Sequence, residues 1–366
     1  MSEYPKIAII YLSFHCEPYL DDVVSALKKV SYPKDKLELV IVDNPHPQYG
    51  PSVRAIEETV MPFSGRELPQ VTLLPQKENL GFAGGNNVGI QWAIDHGYEY
   101  VYLHNGDGFV AVNVFAPLVE VMEEDKSIAV AQSSLILYPD TEYLNNAGNA
   151  FHYLGFGFCD EYRSYVADVK LPRVKEISYA SGAAMMARTD LIKQYGMLDE
   201  DFFLYHEDLE WCFRFRVLGY KTVLISDSVF FHKYQFSRSI DKFYYMERNR
   251  YGVMLMFFRW PTLLLLLPMA LVLEAGLWLF AWRGGWTRQK AAVYRYWFNF
   301  KNLKLWLGKR KRIQKMRTVS DRFLFEFSVP GIYFQEKAME TPLLKYVGNP
   351  LMKLYYYIVV KGLIWW

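Results

Sequence analysis

Four short clusters in this 366-residue chain carry side chains able to do chemistry. The first is His104-Asn105-Gly106-Asp107-Gly108, where the strand-forming run Tyr100 to Leu103 gives way to a polar turn with a carboxylate between two glycines. In open α/β sheets the carboxyl ends of strands are where ligands sit. A carboxylate there can hold a divalent cation, and the cation can hold a diphosphate; the same turn also suits a surface loop in which Asp107 only caps the next segment. The second cluster is Asp43-Asn44, again a carboxylate following an apolar run, Leu37 to Val42. Glu207-Asp208, the third, opens a segment that carries Arg214 and Arg216 further on, a charge order that complements a helix dipole, and N-terminal capping is its structural alternative. The fourth is His232, closing the apolar run Val229-Phe-Phe, where an imidazole serves either as a ligand or as a satisfied core residue.

Positioning these groups takes alternating strands and helices. Residues 6–12, 37–42, 71–74 and 100–103 read as buried strands, and 19–30 and 52–59 as helices. Residues 79–89, Asn-Leu-Gly-Phe-Ala-Gly-Gly-Asn-Asn-Val-Gly, read as a Gly/Asn-rich loop feeding a helix to His96. Its glycines do not fit G-x-G-x-x-G after a first strand, which disfavours a dinucleotide-dependent dehydrogenase. Backbone N–H groups in such a loop can face phosphate, and a tight structural turn is the alternative. The alternation implies an α/β fold with a parallel sheet wrapped by helices. Beyond 110, residues 115–124 and 189–195 read as helices, and 128–132, 134–137, 221–225 and 229–232 as strands. The stretch 177–187 is strand-like with small residues, Gly182 and Ala183 among them, where a ligand or another backbone can approach closely. The long irregular stretch 138–175 is of the kind that often faces substrate.

Composition sets the compartment and the partners. With 52% hydrophobic, 22% charged and 17% aromatic residues, the chain has room for one large domain plus an appendage, and its net charge of +2 averages two unlike halves. Residues 283–317 hold twelve Lys or Arg and no Asp or Glu. Cys16, Cys159 and Cys212 are too few and too scattered for a disulfide framework or a zinc site, which points to a reducing compartment. The start, Met-Ser-Glu-Tyr-Pro-Lys, lacks a charged and then apolar leader, so a cytoplasmic N-terminal domain is expected.

In this order, the pieces resemble the inverting, nucleotide-sugar-dependent glycosyltransferases of family 2, and within it rhamnosyltransferase-like, membrane-associated members, over about residues 5–250. Ser13-Phe14-His15 stands where that family has Thr-Tyr-Asn, Asp43-Asn44 where it has Val-Asp-Asn, and 79–89 is close to its N-x-G-x-A-x-x-x-N-x-G. Asn105-Gly106-Asp107 falls on the metal motif, residues 181–188 and 199–211 on the acceptor-side motifs, and His232 and Glu247-Arg248-Asn249-Arg250 on the late His and Arg-Asn. The resemblance implies the GT-A fold, a Rossmann-like mixed sheet with helices on both faces, as a catalytic domain over 1–250, followed by a helical membrane-association region over 251–366. It implies that Asp43, with Ser13 nearby, binds the imide N–H of a uracil or thymine, and that Asn79, Gly84, Asn86 and Asn105 help hold the donor. Asp107 and His232 would bind the Mg²⁺ or Mn²⁺ that bridges the phosphates of a UDP- or dTDP-sugar. Asp208 would be the general base, Glu207 its support, and Gly182, Ala183 and Trp211 would face the acceptor, Trp211 as a stacking surface. Two departures stand out: the metal turn has one carboxylate only, and Met256-Phe-Phe-Arg-Trp260 has Met where polymerising relatives have the Gln of Gln-x-x-Arg-Trp, which predicts transfer of one or few sugars per encounter.

The C-terminal third raises the membrane question. Residues 260–282 are long and apolar enough to span a bilayer, but Pro268 and Glu274 interrupt them, and one crossing would export the basic 283–317 segment against the positive-inside rule. A bent hairpin around Pro268, or an in-plane insertion, keeps both flanks on the cytoplasmic face of the cell membrane; a buried helix pair in a soluble domain is the alternative. Around 287–307, apolar residues recur at helical spacing among basic ones, and Lys309-Arg-Lys-Arg312 suits anionic headgroups. No nucleic-acid motif accompanies the basic stretch, so the expected partners are the sugar nucleotide, a glycan or lipid-linked saccharide acceptor and membrane lipids, not nucleic acid. The competing readings are a non-catalytic nucleotide- or glycan-binding protein on the same fold and a peripheral membrane scaffold.

Overall fold

Strands β1 (Ile7–Ser13) and β2 (Leu37–Asp43) are buried at every residue, as their unbroken apolar runs require when helices cover both faces of a sheet. The computed structural model describes residues 4–234, 242–333 and 341–366. The chain divides into two compact units, one of residues 1–149, 159–212 and 220–234, the other of 150–158, 213–219 and 235–366. Residue 250, the expected domain boundary, lies inside a helix of the second unit.

In the first unit, β1, β2, β3 (Gln70–Pro75) and β4 (Tyr100–Asn105) are parallel, in the order β3-β2-β1-β4. Ile7, Ile9, Tyr11, Leu39, Ile41 and Tyr102 share a core with Leu20, Val24 and Leu27 of α1 (Leu20–Lys28), Ile56 of α2 (Val53–Thr59) and, past α3 (Gly81–Asp95), Leu118 and Met122 of α4 (Phe115–Glu124). The alternate residues of β1 and β2 meet α3, where a Cβ on Gly85 or Gly89 would come within 2.5 Å of Leu12 or Ile10. The stretch expected to be a loop is therefore helix from Gly81 onward. Glycine in a helix costs about 1 kcal/mol per residue relative to alanine, and here it is offset by close packing of α3 on the sheet.

The sheet is mixed beyond β4. After β5 (Gly108–Val110), β6 (Ile128–Leu137) is one strand where two pieces were expected, and the irregular stretch supplies β7 (Leu144–Asn146) and β10 (Val174–Glu176) to this sheet and β8 (Asn149–His152) and β9 (Gly157–Cys159) to a separate small one. β11 (Ala184–Arg188), which leads into α5 (Thr189–Tyr195), lies antiparallel between β4 and β6. β12 (Lys221–His232) follows α6 (Glu207–Arg216) and runs parallel to β6, with a register shift between Ile225 and Val229 where the sequence suggested two strands.

The second unit holds α7 (Phe243–Phe257), α8 (Trp260–Gly284), α9 (Thr287–Trp297), α10 (Phe300–Met316), β13 (Ser328–Val329), which pairs with β8, and α11 (Asn349–Tyr355). A bent hairpin at Pro268 is not what forms: α8 is continuous over 25 residues with Pro268 inside it. Thr262, Leu266, Met269, Leu273, Leu277 and Ala281 form one buried stripe along its whole length, while Leu264, Leu271, Trp278 and Trp282 stand exposed. Glu274, the acid that interrupts the apolar run, receives Arg250 at 2.7 Å, Lys290 at 2.7 Å and the Tyr294 hydroxyl at 2.6 Å. Arg250 and Lys290 also pair with Glu247 at 2.9 and 2.5 Å, so no buried charge in this group stands on one partner.

Candidate active site

Strand register assembles the first row of functional groups. Ser13 pairs with Asp43 across β1 and β2, and Leu12 with Asn105 across β1 and β4, which sets Ser13, Asp43 and the Asn105–Asp107 turn side by side at the carboxyl ends. The chain crosses from β3 to β4 on the other side of β1, so this rim is the topological switch point. Ser13 Oγ donates to Asp43 Oδ1 at 2.6 Å, and the Ser52 N–H to Oδ2 at 3.0 Å. Burial raises the Asp43 pKa, with both donors opposing the rise. Asp43 is fully buried and both its oxygens are engaged, so contact with a nucleobase requires a rearrangement of what covers it. On the same rim, the rings of His15 and Tyr49 stack at 4.0 Å, and those of Phe14 and His46 lie 4.6 Å apart.

Asp107 and His232 come together. Gly108 opens β5, which pairs with the end of β12 so that His232 faces Gly108; a Cβ on Gly108 would lie 2.2 Å from the Phe230 ring, so only glycine permits this pairing. The Asp107 carbonyl accepts from the Lys233 N–H at 2.9 Å, and the Gly106 carbonyl from the Tyr11 hydroxyl at 3.0 Å. His232 Nε2 lies 3.0 Å from Asp107 Oδ1, and the Asn105 amide donates to the same oxygen at 2.6 Å. His232 Nδ1 lies 2.8 Å from Asn145 Oδ1. With the amide set this way Nδ1 carries a proton and Nε2 is the atom turned to Asp107. Two neighbouring ligands of an octahedral ion bound at about 2.1 Å stand about 3.0 Å apart, the separation of Nε2 and Oδ1 here. One carboxylate and one imidazole oriented by an amide thus fit a Mg²⁺ or Mn²⁺ that takes its remaining oxygens from phosphate and water, while Asn105, its amide nitrogen turned to Asp107, holds the carboxylate in place. Among the described residues no group of three His, Cys, Asp or Glu forms a fuller cage.

The second row lies across Gly182 and Ala183. The Ala183 carbonyl accepts from the Asn105 N–H at 2.9 Å, and the Gly182 N–H donates to Asp208 Oδ2 at 3.2 Å. Asp208 Oδ1 accepts from the Leu209 N–H at 2.8 Å. Burial pushes the Asp208 pKa up to about 6 against these donors. Glu207 is more deeply buried, its Oε2 has no hydrogen-bond partner among the described residues, and burial, then the Asp208 charge, raises its pKa well above the ordinary range. The adjacent, buried carboxyls thus resist carrying two charges at once.

The segment that delivers this pair is strained. Phe203, Tyr205 and His206 have φ of 61°, 65° and 67°, the left-handed region that costs non-glycine residues about 1–3 kcal/mol each. Asn87 of α3 clamps the approach, accepting from the Leu198 N–H at 3.0 Å and donating to the Leu198 carbonyl and to Glu200 Oε1, both at 2.9 Å. The Phe203 carbonyl accepts from the Phe82 N–H at 2.7 Å, so the first turn of α3 is spent on this loop rather than turned toward phosphate.

Trp211 offers no stacking face: it is fully buried, with its indole N–H donating to the Gly196 carbonyl at 3.0 Å. Asn79 accepts from the Gly81 N–H at 2.9 Å in the turn that precedes α3, Gly84 lies inside that helix, and the Asn86 amide donates back to the Phe82 carbonyl at 2.9 Å. Sequence reasoning missed Asn87, which sits beside Asn86 but faces the other way, and Asn145, hidden in an irregular stretch with no local pattern to single it out.

A mixed sheet with a cation-compatible turn at its switch point and a carboxylate pair across from it defines a nucleotide-diphospho-sugar transferase of GT-A architecture. The family model "Glycosyl transferase family 2" matches residues 8–196, just over half of the chain, and the chain belongs to that family. The low-salt glycan biosynthesis hexosyltransferase Agl10 of Haloferax volcanii is 28% identical over 144 residues, 38% of this chain and 44% of its own length. Among solved structures, GalNAc-T7 with UDP, GalNAc and Mn²⁺ aligns with a TM-score of 0.53 and 14% identity over 70% of this chain and 48% of that one. The mannosyltransferase PcManGT from Pyrobaculum calidifontis, in complex with GDP-Man and Mn²⁺, aligns with a TM-score of 0.50 and 13% identity over 98% of this chain and 88% of that one. The chain thus spans less than half the length of the Haloferax relative and of GalNAc-T7, and at these identities the structural likeness shows the fold.

Proposed function

We propose that the protein transfers a sugar from a UDP- or dTDP-sugar, with inversion at the anomeric carbon, to a lipid-linked glycan acceptor at the cytoplasmic face of the membrane. The observation that carries this reading is the run of contacts from Asp208 through Gly182 and Ala183 to Asn105 and Asp107, which sets a base with a pKa of about 6 beside a cation-compatible pair. The nucleotide sugars bound by GalNAc-T7 and PcManGT, and the hexosyltransferase name of the Haloferax relative, support a donor of this class.

Asp208 accepts the proton of the acceptor hydroxyl. That oxygen bonds to the anomeric carbon as the bond from the carbon to the diphosphate oxygen breaks, and the electron pair leaves with the nucleoside diphosphate; one displacement inverts the configuration. Glu207, buried beside Asp208, supports it as the base. Asp107 and His232 would hold the Mg²⁺ or Mn²⁺, which would neutralise charge on the departing diphosphate. Asp43 and Ser13 belong to the nucleobase end. Met256 in place of the processive glutamine favours one or few transfers per encounter. Screening nucleotide sugars, rhamnosyl donors among them, for metal-dependent binding and transfer tests the proposal; a chain that binds none of them is no transferase of this kind.

The open face of α8 supports the membrane part. Its length and composition allow a crossing, but the buried stripe and the Glu274 network tie the helix lengthwise to its own unit, which favours in-plane insertion. Leu264→Asp with Leu271→Asp is expected to move the protein from the membrane fraction to the soluble one.

A further inference from the structure

We infer that the groove at the start of α8 is a binding site for the anionic headgroups of a bilayer, their phosphates held by Arg259 and Lys311. It deepens the membrane reading and rests on it.

The groove is lined by Arg259, Trp260, Leu307, Arg310, Lys311 and Arg317, among others. Its cations divide into two kinds. Arg310 donates to the carbonyls of Leu255 and Phe258, both at 2.5 Å, and lies over the Trp260 ring at 4.1 Å; Arg317 donates to the Phe257 carbonyl and to Asp321. These two close the carboxyl end of α7 and are fixed by it. Arg259 and Lys311 make no side-chain hydrogen bond or ion pair among the described residues. Among the described residues the one acid at hand, Asp321, is fully buried and already shared between Arg317 and the Arg259 N–H, the latter at 2.8 Å. Four cations thus face one acid. Burial pushes the Arg310 pKa down, and repulsion from Arg317 adds to the fall, as expected where positive charge is in excess.

What adjoins the groove says which anion fits. Trp260 is 54% exposed, and the open face of α8 continues from it through Leu264 and Leu271, 68% and 62% exposed; Leu307 and Phe300 of α10 are also exposed. A cationic groove continuous with an apolar helix face matches the two layers of a membrane interface, headgroup and acyl chain. A soluble phosphate would use the groove and leave the apolar face idle.

The test is co-sedimentation of the full chain with vesicles of phosphatidylcholine alone and of phosphatidylcholine with phosphatidylglycerol. Tighter binding to the anionic vesicles is expected, and Arg259→Gln with Lys311→Gln should lose that gain, about fivefold per cation removed. Unchanged binding of the double variant to phosphatidylcholine shows that it is folded. Equal binding of the native chain to both vesicles, or a double variant that keeps its anionic preference, overturns the groove and leaves the α8 face standing. Binding to neither vesicle overturns the membrane reading and the groove with it. Inorganic phosphate that binds the native chain and is lost with Arg259→Gln and Lys311→Gln, while vesicle binding stays independent of lipid charge, assigns the groove to free phosphate and overturns the headgroup.

Discussion

Asp107 Oδ1 and His232 Nε2 stand 3.0 Å apart although 125 residues separate them in the chain. The contact exists because β5 pairs with the last residues of β12, and because Asn145 aims the imidazole. If the pair holds a cation, Asp107→Asn should abolish metal-dependent donor binding, and EDTA should stop transfer until Mn²⁺ or Mg²⁺ is restored. Titration calorimetry of donor with and without metal decides it: donor binding that survives Asp107→Asn with its metal dependence intact makes the turn a turn and nothing more.

Asn145 touches the proposed ion only through His232. Asn145→Ala should weaken metal affinity by about 10- to 100-fold while leaving the fold and metal-free nucleotide binding unchanged. Equal Mn²⁺ affinity in the variant would show that the imidazole needs no partner to hold its orientation.

Asp208→Asn should lower transfer by about 10²- to 10⁴-fold with donor binding retained. In the native chain the rate should climb between pH 5 and 7, about a midpoint near 6, as Asp208 ionises. The stability sign runs the other way. A carboxyl whose folded-state pKa is raised stabilises the fold while protonated, and loses that contribution as the pH rises from the ordinary carboxylate range through about 6. Melting curves across that range should therefore fall less steeply in Asp208→Asn than in the native chain, Asp43 and Glu207 contributing declines of the same sign to both, and a flat pH–rate profile near 6 would remove Asp208 as the base.

Asn87 holds the strained approach to α6 without reaching the reacting groups. Asn87→Ala should reduce kcat by about 10- to 100-fold through misplacement of the base. Donor affinity and the pH midpoint should stay in place, which separates lost positioning from lost chemistry. A variant with normal kcat would show that the strained segment holds itself.

Trp211→Phe tests the reassignment of that indole to the core. It should cost about 1–3 kcal/mol of stability, from the lost bond to Gly196 and the volume removed, and leave the acceptor KM unchanged. A selective rise in acceptor KM with unaltered melting would return Trp211 to the acceptor site.

The sequence alone determined the strand and helix alternation through β4, α4, α5 and α6, because apolar periodicity and cap chemistry are local properties. It also determined which carboxylates and imidazole stand at element ends: Asp43, Asp107, Asp208 and His232. Tertiary structure decided the rest. Glycines at 85 and 89 look like part of a phosphate loop in the chain, yet serve helix-on-sheet packing once β1 lies against α3. Trp211 looks like a platform, yet neighbouring elements close over it. Asn87 and Asn145 acquire their roles from partners 111 and 87 residues away, a separation no local pattern encodes. The Asn105–Asp107 turn takes its surroundings from the same source: it holds one carboxylate, and antiparallel pairing of β5 with β12 brings an oriented histidine beside it.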